Sequence, residues 1–314
     1  MTITQLKYVL AVAKYQNFTV AAQKCFVTQP TLSMQIQKLE DELSILIFNR
    51  KIKPLQLTDV GLKIVSQAKV ILNESQRIAD IVDFEKGYIG GDFKIGIIPT
   101  VMPTLLPLFL KIFIKKYPKV NLIIEELTTE EIIKKLSDGQ IDAAIAATPL
   151  ENNNIKERVL YYEPFVGYIS DKHRLFKQQK IAVNDLEIDD ILLLEDGHCF
   201  KDNILNLCGS KNNDNYKNFR LQSGNFSTLI KLSKEGLGMT LLPYLQTLDL
   251  SEKDQKNLRS FNKPVPAREV SLIYHKSQLK MQLIEALKTT IDSVVRGVIA
   301  FSDVEIISPL NYRK

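Results

Sequence analysis

Residues 17–43 read NFTVAAQKCFVTQPTLSMQIQKLEDEL, and two short helices joined by a tight turn are legible in them. Phe18 to Ala22 forms the body of the first. Thr28 offers a side-chain cap for the second, and Pro30 falls in its first turn, where a missing N–H costs nothing. Ile36 and Leu39 continue a buried stripe at helical spacing. Upstream, Thr4 is expected to cap a helix running to Lys14, with Leu6, Val9, Leu10 and Ala13 on one apolar face. Three short helices, the last polar on its outer side, predict a helix-turn-helix. Gln29, Thr31, Ser33 and Gln35, with Pro30 beside them, carry short or flexible groups that suit base edges or phosphates in a major groove. Taken alone they read equally well as a solvated helix face. Downstream, Phe48 to Thr58 predicts two short strands around a basic turn, a wing whose Arg50, Lys51 and Lys53 suit phosphates.

From Thr58 the pattern becomes one long helix. Ile64, Ala68, Ile71, Ser75, Ile78 and Val82 alternate by four and three residues, the spacing of a dimerising seam. Gly87, Gly90 and Gly91 end it as a hinge. Beyond Asp92, short β-branched runs alternate with helices. The strand DFKIGII, a helix from Leu105 to Lys116, the strand VNLIIEEL, a helix from Glu130 to Leu136 and the strand IDAAIAA follow in turn. That order predicts a parallel sheet with helices on its faces, which binds ligands at strand carboxyl ends. Thr100 and Thr129 sit at two such junctions, where a hydroxyl serves as a helix cap or a ligand contact. The arrangement recurs, with Leu192 to Glu195 ahead of a cysteine-bearing segment and a helix from about Asn225 to Glu235 leading into MTLLP. The predicted fold class is therefore α/β: a winged helix-turn-helix over 1–58, a linker helix over 59–88, a two-lobed effector domain over 89–301 and a tail over 302–314.

Composition sets the limits. The chain has 314 residues, 45% hydrophobic and 25% charged, which fits a globular protein of two or three domains. Its 41 basic and 36 acidic residues are mixed along the chain, so the net charge of +5 says less than its placement. Residues 1–60 hold seven Lys or Arg against four Asp or Glu. No basic leader with an apolar core opens the sequence, and no uncharged apolar run approaches membrane-spanning length, so the expected location is the cytoplasm, away from membranes. Metal-ligand spacings, a phosphate loop and a nucleophile elbow are all missing, and no cofactor is expected.

Three cysteines are too few for a disulfide framework. Cys199 and Cys208 share the run LEDGHCFKDNILNLC, and a thiol pair in a DNA-binding chain reads as a redox switch; as bare residues they read first as small buried hydrophobes. His198 and Lys201 favour a thiolate at Cys199, whereas Glu195 and Asp196 oppose it. If 199–208 is helical, the sulfurs stand more than about 10 Å apart along the axis, beyond disulfide reach. Joining them then requires the segment to unwind. Cys25 is left over and reads as a core residue.

The run of residues 17–43, then IFNR, then LTDVG, resembles the DNA-binding domain of LysR-type transcriptional regulators, and the two α/β lobes resemble their periplasmic-binding-protein-like effector domain. Ser44 departs from the glycine that usually ends the third helix. GIIPTVMPTLLP, LTTEEIIKKLSDGQIDAAI, LLLEDGHCFKDNILNLC and GLGMTLLP resemble the peroxide-sensing members, over nearly the whole chain to about residue 300. The GHC segment with a second cysteine nine residues on is the most specific of these.

The resemblance implies a regulator, not an enzyme, that binds a double-stranded DNA operator, responds to hydrogen peroxide, assembles as a dimer of dimers and contacts RNA polymerase. It implies that Cys199 is oxidised to a sulfenic acid and that Cys208 resolves it to a disulfide, with Thr100, Thr129 and His198 orienting the peroxide. The stretch GNFSTL departs from the family's usual polar helix start. A regulator of the same family gated by a small anionic metabolite, with incidental cysteines, is the competing reading. A peroxidase is a third, and it leaves the winged helix unexplained.

Overall fold

The computed structural model describes residues 1–50, 54–85, 89–194, 199–208, 225–299 and 304–309. They form two compact units, Met1–Lys86 and Gly87–Lys314. In the first, α1 (Ile3–Tyr15), α2 (Phe18–Lys24) and α3 (Gln29–Leu43) enclose a core of Leu6, Val9, Val12, Ala21, Leu32, Ile36 and Leu39. Thr28 caps α3 as expected. The cap of α1 is Thr2 instead of Thr4, because Thr2 can exchange hydrogen bonds with Gln5 in a capping box. Ser44 ends α3 at φ 54°, a left-handed position where serine costs about 1 kcal/mol relative to glycine. The wing strands β1 (Phe48–Asn49) and β2 (Gln56–Leu57) pair antiparallel.

The long helix α4 (Asp59–Glu85) follows. Thr58 Oγ1 accepts from the Gly61 N–H, and a Cβ at Gly61 would collide with the Ile47 carbonyl, so glycine alone lets α4 start this close to the wing. The expected seam is divided. Ala68 is buried in the unit's own core, and Ile64 and Ile71 pack against it, while Ile78 and Val82 are exposed together with Ile81. The seam positions in the first turns of α4 are thus spent on the helix-turn-helix, and those in the later turns stay exposed.

The second unit is built on one sheet. β3 (Gly91–Ile97), β4 (Val120–Glu126) and β5 (Ala143–Thr148) pair in parallel, joined through α5 (Met102–Lys116) and α6 (Thr129–Ser137). This is the predicted β-α-β-α-β order. Two long strands, β6 (Ile155–Tyr168) and an antiparallel neighbour, run through both lobes. Between them in sequence come β7 (Lys180–Ile181), α7 (Cys199–Leu207), α8 (Phe226–Lys234), β8 (Thr240–Pro243), the short helices α9 (Tyr244–Thr247) and α10 (Glu252–Gln255), and β9 (Leu258–Phe261). The neighbour is β10 (Val265–His275), and α11 (Met281–Val295) and β11 (Val304–Ile306) complete the chain. Strand order is β4-β3-β5-β10-β6-β9-β7, with β8 on β6 and β11 on β10.

Each lobe has its own core. Phe93, Ile95, Phe109, Ile145 and Leu272 belong to one, and Phe165, Tyr168, Leu229, Leu241 and Phe261 to the other. The expected strand at Leu192 to Glu195 is reduced to a single parallel rung, Ile191 with Met239, before the leucines turn inward. Gly238, at φ +148°, lies so close to the Asp190 carbonyl that a Cβ would collide with it. Glu195 lies outside the described residues. The structure carries the effector unit past residue 301, since the expected tail supplies β11.

Candidate functional site

The outer face of α3 keeps the groups read from sequence. Gln29, Pro30 and Thr31 are exposed and Ser33 is half-buried. Gln35 is half-buried and accepts a hydrogen bond from Gln5 Nε2 at 3.3 Å, which ties α3 to α1. Arg50 Nη2 donates to Glu40 at 2.8 Å, and its guanidinium lies 5.2 Å over the Phe18 ring. Glu40 is buried and also accepts from the backbone N–H groups of Ile47 and Phe48. One carboxylate therefore fastens the wing to the end of α3. Lys51 and Lys53 lie outside the described residues. Cys25 is half-buried at the end of α2, and the neighbouring Phe26 is 95% exposed.

The second site lies where the two cores meet. Cys199 is the first residue of α7 and is 7% exposed, its side chain packed into the first core, while Phe200 next to it belongs to the second. Phe200 meets Phe165 and Phe226 edge-on at 5.3 and 5.1 Å. Arg268 of β10 is 0% exposed, and its guanidinium stands 5.1 Å over the Phe200 ring. Its Nε and Nη2 donate to Glu163 at 2.9 and 2.7 Å, and Nη1 donates to Thr100 Oγ1 at 2.8 Å. The β6–β10 register sets Arg268 directly opposite Glu163. Glu163 is 1% exposed and its other oxygen accepts from the Leu245 N–H. The pair is thus fully desolvated yet extensively hydrogen-bonded, which a buried ion pair requires.

Burial pushes the Cys199 thiol above its ordinary range; the Arg268 cation, the Thr129 hydroxyl and the Ala147 backbone work against that shift, and Asp202 adds to it. Thr128, not Thr129, caps α6, through a capping box with Glu131. That frees the Thr129 hydroxyl, which is buried and has no oxygen or nitrogen partner among the described residues. Thr100 is not a cap either, because its hydroxyl is taken by Arg268. Cys199, Thr100 and Thr129, which sequence reading singled out, are thus brought to one joint; His198 lies outside the described residues.

Cys208 follows α7, and its N–H donates to the Ile204 carbonyl at 3.0 Å. It is half-buried against the second core. Burial pushes its thiol up to about 11, and no cation among the described residues opposes that shift. Both cysteines are free thiols. The helix between them holds the sulfurs apart by roughly 13 Å along its axis, at ~1.5 Å per residue.

A family model described as a bacterial regulatory helix-turn-helix protein of the lysR family matches residues 3–62. A second, the LysR substrate binding domain, matches residues 86–296. The chain belongs to the LysR family of transcriptional regulators. It is a DNA-binding regulator, not an enzyme. Among LysR relatives, the hydrogen peroxide-inducible genes activator of Pectobacterium carotovorum subsp. carotovorum is 33% identical over 297 residues, covering 95% of this chain and 98% of that protein. The DNA-binding transcriptional dual regulator OxyR of Escherichia coli K12 is 33% identical over 93% of this chain and 96% of its own. Full-length OxyR of Pseudomonas aeruginosa, in a cysteine-to-aspartate variant, superposes with a TM-score of 0.73 at 33% identity, over 93% of this chain and 94% of that one.

Within this LysR effector unit, sequence reading missed Arg268 and Glu163. For Arg268 a signal was present, since VPAREVSLIYH sets that charge, with Glu269 beside it, in a run otherwise patterned as a buried strand. It also missed Glu40, which lies on the inner face of α3 in a run that reads as solvated polar residues.

Proposed function

We infer that this LysR-family chain is a peroxide-responsive transcriptional regulator switched at Cys199. The observation that carries the reading is a buried thiol at a helix start, flanked by the Arg268 cation and by a Thr129 hydroxyl with no other partner among the described residues. The names of its relatives point the same way. As peroxide enters, the Cys199 thiol gives up its proton, and the thiolate attacks one peroxide oxygen. The S–O bond forms, the O–O bond breaks, and the departing oxygen leaves as water. Thr129, Thr100 and His198 are the groups proposed to orient the peroxide, while Arg268 stabilises charge on sulfur. Cys208 then attacks the sulfenic acid, forming the disulfide and releasing a second water.

Bond formation requires α7 to unwind, and the remodelled joint changes how subunits pack. The exposed Ile78, Ile81 and Val82 of α4 supply the proposed dimer contact. Gln29, Pro30, Thr31, Ser33 and Gln35 are proposed to face the operator, with Arg50, Lys51 and Lys53 at the phosphates. Altered half-site spacing or DNA bend then reaches RNA polymerase in the cytoplasm. No helix among the described residues is long and apolar enough to cross a membrane.

The test is the rate of thiol loss at each cysteine over a range of peroxide concentrations, followed by peptide mapping without reductant. Cys199 is expected to react first, a Cys199–Cys208 disulfide to follow, and Cys25 to lag far behind. Cys199→Ser abolishes both events, whereas Cys208→Ser leaves a sulfenic acid that a dimedone-type probe traps. Equal rates at all three cysteines, matching the unfolded chain, would sink this reading and leave the metabolite-gated regulator standing.

A further inference from the structure

Residues 304–309 are built into the site. β11 runs parallel to β10, pairing Val304, Glu305 and Ile306 with Val265, Pro266 and Ala267. The Ile307 N–H then donates to the Ala267 carbonyl at 2.8 Å, one residue from Arg268. Beyond the strand the chain lies along α7. Asn203 Nδ2 donates to the Ile307 carbonyl at 2.6 Å, and Asn206 Nδ2 donates to the Ser308 carbonyl at 2.8 Å. Ile307 packs against the second core and Pro309 is buried.

Asn203 and Asn206, three residues apart, share one face of the helix. Asparagine is a weak helix former, and a buried amide is costly unless bonded. Asn203 is fully buried and its Oδ1 has no partner among the described residues, so the bond to Ile307 is what this amide has. Both residues lie on the turns between Cys199 and Cys208. A disulfide brings the two sulfurs to about 2 Å, which those turns cannot permit while intact.

We propose that residues 304–309 form a strap that locks α7, with Asn203 and Asn206 as the positioning residues, and that forming the disulfide releases it. This rests on the peroxide reading above. The strap leaves the attack of peroxide on Cys199 unaffected, because that step needs the folded joint. It slows the second step, in which the Cys208 sulfur bonds to Cys199 and water leaves, because the clasp must open first. By linkage, whatever loosens the strap favours the disulfide, and the disulfide loosens the strap.

The experiment uses full-length protein and hydrogen peroxide, comparing the parent with Asn206→Ala and with a chain ending at residue 303. Sulfenic acid at Cys199, trapped by a dimedone-type probe, and the disulfide, followed by quenched mass spectrometry, are timed separately. Asn206→Ala is expected to speed disulfide formation about two- to tenfold, the net worth of one such hydrogen bond, with sulfenic acid formation unchanged. The truncated chain is expected to exceed it. In the parent, the Ile307 amide is expected to lose hydrogen-exchange protection on oxidation. Disulfide formation at the parent rate in both variants, with Ile307 still protected after oxidation, overturns the strap alone. A parent chain that forms no Cys199–Cys208 disulfide overturns the peroxide reading, and the strap's role falls with it.

Discussion

Each unit of this chain contains a buried glutamate holding an arginine, and the two clamps differ in what surrounds the cation. Glu40 and Arg50 fasten the wing to α3, with the arginine side chain 39% exposed. Glu163 and Arg268 bridge β6 and β10 at the joint of the lobes, where both are essentially dry. In the first, water shares the charge of the guanidinium, so the pair adds order and little electrostatic force. In the second, the field of Arg268 is undiluted, and the Cys199 thiol lies within it. Equivalent chemistry thus serves architecture at the surface and reactivity in the interior.

The largest expected effect is at the dry clamp. Arg268→Met leaves Glu163 buried with an unpaired charge and should cost about 3–5 kcal/mol. It should also slow peroxide oxidation of Cys199, since a cation that holds the thiol down is gone. Chemical denaturation and stopped-flow thiol kinetics measure the two losses. Arg268→Lys keeps the charge without the fork that reaches both Glu163 and Thr100, and should recover only part of each. Oxidation of Arg268→Met at the parent rate would break the comparison, reducing this clamp to architecture as well.

At the wet clamp the expected loss is smaller. Arg50→Met should cost about 1 kcal/mol, because Glu40 keeps the Ile47 and Phe48 N–H groups and water reaches its freed oxygen. Amide exchange at Ile47 and Phe48 should quicken, while thiol kinetics at Cys199 stay unchanged. A loss matching that of Arg268→Met would show that burial of the arginine is not what separates the two.

The clamps also mark where sequence reading succeeds and stops. Thr28, Ile36 and Leu39 declare α3 because caps and helical stripes are local patterns, and the β-α-β-α-β order of the first lobe is local in the same sense. The Thr2 cap was legible too, through Gln5 three residues on. The periodicity of α4 was visible, but not its use: a stripe shows that residues are apolar and does not say that Ile64, Ala68 and Ile71 face their own unit while Ile78 and Val82 do not. Arg268 and Glu163 are joined only by strand register across more than a hundred residues, so no window contains both. β11, three residues of alternating character, is too short to declare itself, and its hold on α7 passes through backbone carbonyls that have no sequence signature.

The smallest expected effect on stability sharpens the comparison most, because it separates reactivity from architecture within the dry joint. The Thr129 hydroxyl is buried, has no oxygen or nitrogen partner among the described residues, and lies beside a sulfur whose thiol is pushed up by burial. Thr129→Val keeps the shape and removes that hydroxyl, so stability should change by no more than about 0.5 kcal/mol. The oxidation rate should fall about tenfold, the kinetic worth of one hydrogen bond to the thiolate. The direction of the pH dependence follows from the raised pKa. Because the thiolate is the nucleophile and the thiol dominates at neutral pH, the rate climbs as pH rises toward the folded-state pKa and levels off only above it. Removing a group that holds that pKa down moves the rising limb to higher pH, and Thr129→Ser should move it back. A lost packing contact would lower the rate equally at every pH. Superimposable pH profiles for the parent and Thr129→Val, measured as thiol loss at Cys199, would therefore take Thr129 out of the chemistry and leave the tuning of the thiol to the opposed charges of Arg268 and Asp202.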